Sequence, residues 1–468
     1  MPARVKEQLP LALRYNSSGQ TGLRDAAAAE NKTLPVHRWV PWIAGFAAHF
    51  VEDAIRSYLP QTSIDEQLVL DPFAGVGTTL VEALKAGRPA FGHEINAFAV
   101  LAARTKVNCV EANPRIFRSR IAEFHSRLGE FEMRVDRQWM RVGAAGVQRL
   151  SDSNLRQEHI QFKSRIPFFS PPVEAKFRYA VEAAASLRPP YRDLFLVALG
   201  ATMVSFSNYT YEPSLSSRPG AGRPLIENAA VASIVTQKLD NMLEDIELML
   251  SRHGSQWRAC ERSVDASSYF ESRLRHGQVS LVVTSPPYMN NYHYLRNTRP
   301  QLHWLGLIGE SDALAKMEEA SFGKFWQTVR QGPLVELNAP VGASLAQAIE
   351  KLRETNVVRR PYGGAGWANY VATYLNDCDR FLLQTKKHLR HGARAVIVVG
   401  NSIIQGIEFR VDQVLAELAE GRGLVVEDII LVRKKRVGNS IIDSTVRNGN
   451  GSHKKRTQLY DAAVILRR

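Results

Sequence analysis

Hydrophobic and polar residues follow two different patterns along the chain. Near the start, and again after residue 280, short apolar runs alternate with amphipathic stretches, which is typical of strands followed by helices. The pattern predicts strands at 67–70, 89–95, 280–284, 393–399, 424–432 and 462–466. It predicts helices at 78–86, 370–389 and 411–419, and the apolar positions from Ile43 to Ile55 predict another helix before the first strand. Together these elements predict an α/β fold with one split sheet.

The rest of the chain lacks this alternation and divides the predicted sheet. Residues 1–33 have no periodicity, which indicates a mobile arm. The sheet is then predicted in three blocks, at 34–110, 256–304 and 370–468. Between these blocks lie a mainly helical insertion at 111–255 and a second insertion at 305–369. Within the first insertion, residues 205–223 are rich in Ser, Pro, Gly and Arg, which predicts an exposed loop.

The composition favours a soluble, intracellular protein with a polyanionic partner. The formal net charge is +14, and lysine and arginine gain binding energy by releasing counterions from phosphates. Cys109, Cys260 and Cys378 lie far apart and form no CxxC pair, so neither a disulfide framework nor a zinc site is indicated. The longest apolar stretch, at 194–206, is shorter than the roughly 20 residues that cross a bilayer, and no signal sequence is evident.

A loop with two glycines follows the first predicted strand. Residues 70–79 read LDPFAGVGTT, and glycines in such a strand-to-helix turn let the backbone approach a ligand closely. The loop lacks the Gly-Lys-Ser/Thr of a phosphate-binding loop and the third glycine of the dinucleotide fingerprint. Glu94 stands at the end of the second strand, where its carboxylate is placed to accept hydrogen bonds from both hydroxyls of a ribose. The pattern therefore favours a ribose-containing cofactor over a bound nucleotide phosphate.

The segment VVTSPPY, at 282–288, ends another predicted strand, at the edge where open α/β sheets bind ligands. An exocyclic base amine is a poor nucleophile because its lone pair is delocalised into the ring, so a catalyst must accept its N–H protons. Ser285 Oγ and the Pro286 carbonyl are suited to accept them, and Pro286 and Pro287 make the loop rigid because their φ is fixed. Tyr288 is suited to stack on a base swung out of the duplex. Because Ser285 is a weak base, it is not expected to remove a proton from an amine before the amine reacts.

Both segments resemble motifs of one enzyme family. DPFAGVGTT resembles motif I of the amino-methyltransferases of DNA, and TSPPY resembles their motif IV. The resemblance implies a Rossmann-like methyltransferase sheet with helices on both faces, and S-adenosylmethionine as the cofactor. It implies that the cofactor is lined by Asp71, Phe73, Ala74, Gly75, Gly77 and Thr78.

Two weaker resemblances flank these motifs. Residues 37–50 resemble motif X, which helps to hold the methionine end of the cofactor. Val264-Asp265-Ala266 resembles motif III, in which an acidic side chain, here Asp265, contacts the adenine amine. A simple packing helix and an isolated surface aspartate remain alternative interpretations of these two segments.

The form of the second motif bears on the target base. SPPY is commoner among the cytosine-N4 enzymes of this family, and DPPY or NPPY among the adenine-N6 enzymes. We therefore predict a site-specific DNA methyltransferase acting on cytosine N4. The alternatives are a DNA adenine-N6 methyltransferase, then an RNA guanine-N2 methyltransferase, then a non-catalytic DNA-binding protein. Methylation of cytosine C5 is disfavoured because that chemistry needs a nucleophilic cysteine, usually after a proline, and no cysteine here follows one.

Two regions are candidates for contacts with double-stranded DNA. Asn290 and Tyr292 suit contacts to an extruded base, although a loop packed on the domain explains them equally well. Basic residues bracket a Gly- and Asn-rich loop near the carboxyl terminus and predict a phosphate clamp, with a solvated hairpin as the alternative. These are Arg433, Lys434, Lys435, Arg436, Lys454 and Lys455. The motif order places base readout at 205–223, and a separate cognate restriction endonuclease is compatible with the resemblance.

Overall fold

The centre of the computed structural model is a mixed sheet. The structure describes residues 14–15, 22–42, 45, 47–59, 67–154, 164–211, 214–290, 292–309, 313–355, 357, 364–435, 441–442 and 459–468. Seven strands form the body of the sheet: β1 (Val69–Asp71), β2 (Ala90–His93), β3 (Arg262–Asp265), β4 (Val279–Thr284), β5 (Leu389–Gly400), β6 (Val425–Lys435) and β7 (Leu459–Arg467). Their order is β6-β7-β5-β4-β1-β2-β3, and the two-residue strand Arg14–Tyr15 pairs with β6 at the edge.

Strand direction sets the functional edge of this sheet. Strands β1 to β5 run parallel to one another, whereas β7 pairs antiparallel with both β5 and β6. The carboxyl ends of the parallel strands therefore meet at one edge, and the first residues of β7 arrive at that same edge beside the end of β5. Open α/β sheets bind their ligands at this edge.

Helices cover both faces of the sheet. Consecutive strand residues point to opposite sides, so each strand presents apolar side chains to both faces, and helices bury them. In β4, Leu281 and Val283 belong to one buried cluster and Val282 to another. The first cluster includes α1 (Ala48–Tyr58), α2 (Thr78–Lys85) and α3 (Ala97–Val107). The second includes α13 (Gly364–His388) and α14 (Val411–Gly421). The predicted α/β sheet with helices on both faces is confirmed.

The stretch between α3 and β3 is mainly helical. It contains α4 (Pro114–Val142), α5 (Ala144–Asn154), α6 (Pro171–Ala185), α7 (Tyr191–Thr202) and α8 (Val231–Ala259). The predicted loop at 205–223 contains a short antiparallel hairpin, Tyr209–Tyr211 with Leu215–Ser217. Among the described residues, no helix combines the length and the apolarity that crossing a membrane requires.

The second insertion is shorter and also helical. After α9 (Tyr294–Trp304) it contains α10 (Ala313–Ala320), α11 (Trp326–Val329) and α12 (Ala343–Glu354). Short 3-10 turns lie at Ala28–Lys32, His37–Trp39, Cys109–Glu111, Met203–Phe206, Pro219–Ala221 and Tyr269–Glu271. A separate small sheet joins Ser402–Ile404, Ile407–Phe409 and Ile441–Ile442.

The structure differs from the sequence-based elements in three places. Strand β3 was not predicted from the pattern, because Val264 is its only buried residue and no alternating run is present. Helix α1 begins at Ala48, and Ile43 and Phe46 of the predicted helix lie outside the described residues. Residues 22–33, expected in the mobile arm, lie against α1, where Arg24 forms an ion pair with Asp53 (2.8 Å). The rest of that arm lies outside the described residues, apart from Arg14–Tyr15.

Candidate functional site

A large cleft opens at the carboxyl edge of the parallel strands. It encloses about 1180 Å³, part of which is open to solvent. Gly75, which follows β1, and Ser285, which follows β4, both line this cleft, although 210 residues separate them in the sequence. The two motifs identified from the sequence therefore meet at one site.

The loop after β1 is shaped by glycines at two tight positions. Gly75 and Gly77 have φ values of +51° and +86°, which L-residues with side chains adopt at a cost. A Cβ on Gly75 would lie 3.2 Å from Trp42 Nε1, and one on Gly77 would lie 3.3 Å from the backbone of Ala103. Ala74 N donates to His93 O (2.9 Å), which fixes the loop to the end of β2. Gly75 lines the cleft, whereas Ala74, Gly77 and Thr78 are buried and do not line it.

Asp71 ties the predicted cofactor loop after β1 to the predicted catalytic loop, residues 285–288 after β4, from below. Its carboxylate accepts hydrogen bonds from Thr284 Oγ1 (2.6 Å), Thr79 Oγ1 (2.7 Å) and Phe73 N (3.0 Å). Burial raises the pKa of Asp71 to about 6, although these three donors lower it. Asp71 is 1% exposed and does not line the cleft. Its carboxylate positions the two loops, whereas the resemblance predicted that it lines the cofactor.

Glu94 follows β2 and presents a carboxylate to the cleft. Oε2 accepts from Gly75 N (2.9 Å) and Oε1 accepts from Asn96 N (2.7 Å). Burial raises the pKa of Glu94 to about 7, against the lowering effect of these backbone donors. A carboxylate has about four acceptor positions, so beyond the amides of Asn96, Gly75 and Ile95 the group retains the capacity to accept a further hydrogen bond.

The predicted catalytic loop, residues 285–288 after β4, is held from three directions. Ser285 Oγ donates to Val398 O of β5 (3.2 Å), and Tyr374 OH of α13 donates to Pro287 O (3.0 Å). The hydroxyl of Tyr288 is hydrogen-bonded to Ser285 and to Asp461, the third residue of β7, and burial raises the pKa of Tyr288 well above its ordinary value. Ser285, Pro287 and Tyr288 line the cleft. Pro286 is buried and does not line it.

Comparisons with known proteins agree with this geometry. The family model described as DNA methylase, of the N6 and N4 type, matches residues 27–105, which include the loop after β1 and Glu94. The Type II methyltransferase M.AvaI from Nostoc sp. is 23% identical over 434 residues, covering 88% of this chain and 83% of the relative. The Type II methyltransferase M.BsoBI from Geobacillus stearothermophilus is 21% identical over 431 residues, covering 88% and 82%. These matches support the DNA methylase family.

The segment after β3 borders one end of the cleft. Ser267, Ser268, Tyr269 and Phe270 line the cleft, but Asp265 does not. The backbone oxygen of Asp265 accepts from Glu94 N (3.0 Å), and its side chain is half-buried. The structure therefore brings the predicted motif III segment to the site without placing the Asp265 side chain in the cleft.

Only some of the residues predicted to contact DNA lie at the cleft. Tyr292 lines the cleft, and its ring packs edge-on against Tyr294 at 4.8 Å. Asn290 does not line it; Asn290 N donates to Tyr288 O (2.7 Å) and Asn290 Oδ1 accepts from Tyr292 N (3.1 Å). Arg433 and Lys434 are exposed on β6, which ends at Lys435. Arg436, Lys454 and Lys455 lie outside the described residues.

Aromatic side chains that the sequence did not single out surround the two motifs. Those lining the cleft are Trp42, Tyr269, Phe270, Tyr294, Phe322, Phe325, Tyr370 and Tyr374. They come from five separate parts of the chain, and aromatic residues are common in buried cores, so no local pattern distinguishes them. The motif X resemblance at 37–50 was the one signal that pointed to a member of this set, Trp42.

Proposed function

We propose that this chain is an S-adenosylmethionine-dependent, site-specific DNA methyltransferase that modifies the N4 amine of cytosine. The observation that carries the proposal is the meeting of Gly75, Glu94 and Ser285 in one cleft at the carboxyl edge of the sheet. The resemblance of the chain to Type II methyltransferases over 88% of its length supports site-specific methylation of DNA.

The residues of the cleft fit S-adenosylmethionine. The glycine at position 75 keeps the loop backbone accessible, and Glu94 offers a carboxylate acceptor to a ribose hydroxyl. No basic phosphate-binding sequence accompanies the loop, which agrees with a cofactor that lacks phosphate. When bound, S-adenosylmethionine supplies a methyl group that is strongly electrophilic because it is attached to a positively charged sulfur.

The catalytic loop is arranged to accept a hydrogen bond from an amine. Ser285 has one hydroxyl proton, which Val398 O or Tyr288 accepts, so the lone pairs of Ser285 Oγ are available to an N–H of the base. Accepting that N–H increases the electron density on the amine nitrogen. The Tyr288 hydroxyl is fixed by Asp461, which sets the plane of the ring against which an extruded base stacks. The proton leaves after methyl transfer, when the amine has become acidic.

The surroundings support DNA as the substrate. The hairpin at Tyr209–Tyr211 and Leu215–Ser217 is attached to α9, just after the catalytic loop, because Tyr211 OH donates to Asn297 O (2.9 Å). Asn297 Oδ1 also accepts from Leu215 N (2.9 Å). This attachment supports base readout by residues 205–223. The net charge of +14 and the exposed Arg433 and Lys434 support contacts with phosphates.

Product analysis tests the proposal directly. The protein is incubated with labelled S-adenosylmethionine and either unmodified duplex DNA or RNA, and the digested nucleosides are separated. We expect N4-methylcytosine from DNA, and no product from the Ser285→Ala variant. N6-methyladenine as the sole product would move the target to adenine, and a labelled guanine from RNA alone would replace the proposal. A Type II system further predicts a separate endonuclease that is blocked by the methylated site.

A further inference from the structure

Part of the second insertion forms a wall of the cleft. Every residue from 318 to 325 except Glu319 lines the cleft, and Phe322 lies beside Phe73 of the loop after β1. We call residues 318–325 the 318–325 wall. Neither the DNA methylase match, which ends at residue 105, nor the motifs described above account for this segment.

The 318–325 wall is fixed to both neighbouring parts of the site. Gly323 N donates to Asp377 Oδ2 of α13 (2.9 Å), and a Cβ on Gly323 would lie 2.5 Å from the Tyr374 ring. At its two ends, Glu318 bonds with His293 Nε2 (2.8 Å), and Phe325 stacks on the His293 ring at 4.3 Å. The backbone at 323 therefore packs so closely against α13 that only glycine fits, which holds Phe322 in place.

Phe322 contacts the cofactor side of the cleft. Its ring is edge-on to Phe73, in the loop after β1, at 5.1 Å. It is nearly parallel to Phe270, which follows β3, with 24° between the planes and 6.3 Å between the centroids. Phe322 is 7% exposed, and all three rings line the cleft.

The order of the strands indicates which part of the cofactor lies there. Ser285 follows β4, Glu94 follows β2, and Phe270 follows the next strand outward, β3. Because adjacent strands are about 4.8 Å apart, a cofactor with its methyl group at Ser285 and its ribose at Glu94 extends its base over the end of β3. A cofactor in this orientation would bring its base to Phe270 and to the neighbouring Phe322 ring.

We propose that the 318–325 wall completes the cofactor site and that the Phe322 ring packs against the adenine of S-adenosylmethionine. This inference rests on the proposed function, because it takes S-adenosylmethionine as the cofactor. A contact of this kind buries apolar surface of the phenyl ring and of the purine, and it adds a favourable electrostatic interaction between the two rings. The second insertion is thus part of the cofactor site of this chain.

Calorimetric titration of the full chain tests the inference with two probes, S-adenosylmethionine and adenosine, which lacks the methionine part. Phe322→Leu keeps an apolar side chain but removes the ring, so we expect both affinities to fall by the same factor, about threefold to tenfold. Phe322→Tyr keeps the ring and is expected to bind both probes as the unaltered protein does. Phe131→Leu removes the ring of a buried phenylalanine of α4 that does not line the cleft, so it is the matched control and should leave adenosine affinity unchanged. Thermal unfolding of each variant establishes that it is folded.

The outcomes separate this inference from the proposed function. Absence of S-adenosylmethionine binding by the unaltered chain would overturn the proposed function itself. Normal binding by the unaltered chain with equal affinities in Phe322→Leu would overturn the inference alone. A loss of affinity for S-adenosylmethionine but not for adenosine would place the ring at the methionine part and overturn the adenine contact.

Discussion

Replacement of Asp71 by asparagine should change how stability depends on pH. As the pH rises, the unfolding free energy of the variant should increase relative to that of the unaltered protein. Burial raises the pKa of Asp71 from its ordinary value of 3.8 to about 6. An acid whose pKa is higher in the folded state is stabilising when protonated, and this stability is lost as the pH rises between the two pKa values. The displacement from 3.8 to about 6 corresponds to about 3 kcal/mol of unfolding free energy, most of it between pH 4 and pH 7.

The Asn variant should keep the geometry while removing this titration. An amide oxygen in the place of Oδ1 still accepts from Phe73 N and Thr284 Oγ1. The amide nitrogen can donate to Thr79 Oγ1, whose own proton can turn fully to Val283 O, already 3.2 Å away. Asp71→Ala, in contrast, leaves a buried amide and a buried hydroxyl without their acceptor, which costs about 2 to 6 kcal/mol.

Melting temperatures of the unaltered protein and of Asp71→Asn between pH 4 and pH 7 provide the measurement. For a chain of 468 residues that unfolds as one unit, about 3 kcal/mol corresponds to about 3 °C, and the difference should shift in favour of the variant as the pH rises. Asp53→Asn is a control of opposite sign, because hydrogen bonds from Arg24 lower the pKa of Asp53 despite its burial. A difference for Asp71→Asn that is constant with pH, or that moves with the Asp53 control, would refute the reasoning.

Three further predictions concern the cleft. Ser285→Ala and Tyr288→Ala should lose methyl transfer by about 100-fold or more while binding S-adenosylmethionine normally in calorimetry; loss of binding in both would mean that their roles are misassigned. Asp461→Asn should lower kcat and leave the cofactor affinity unchanged, since Asp461 acts through the Tyr288 hydroxyl, and an unchanged kcat would contradict this. Glu94→Gln should weaken cofactor binding about tenfold or more at pH 8. In the unaltered protein, affinity should fall below about pH 7 as Glu94 takes up a proton, and the Gln variant should lack this dependence.

The strands and helices that bury alternating or periodic faces could be predicted from the sequence. Strand β4 is buried throughout, and α13 and α14 carry regular apolar faces, so their hydrophobic pattern reflects the environment they occupy. Strand β3 buries only Val264 and is held by its pairing with β2. Its existence depends on a neighbour distant in sequence, which no local pattern can report.

The candidate site shows the same division between local and long-range information. The motifs gave the residue types of the two loops, and the cleft contains Phe73, Gly75, Ser285 and Tyr288. The motifs did not distinguish residues that face the cleft from residues that hold the loops. Asp71 and Thr79 belong to the same string as Phe73 and Gly75, yet their side chains point to Thr284 and Val283 beneath the loops. That distinction requires the position of β4 beside β1, which only the fold provides.

The place of Phe322 in the 318–325 wall is the clearest case of information that only the fold provides. Phe73 and Phe322 are separated by 249 residues, and their rings lie 5.1 Å apart. Phe322 lies in an insertion without a recognisable motif, and its place depends on a glycine at 323 that packs against Tyr374 of α13. A single loop can therefore add a side of the cleft without altering either motif. Phe322 contacts Phe73 and Phe270, whereas Phe325 and Glu318 contact His293, so this one loop packs against two different parts of the cleft.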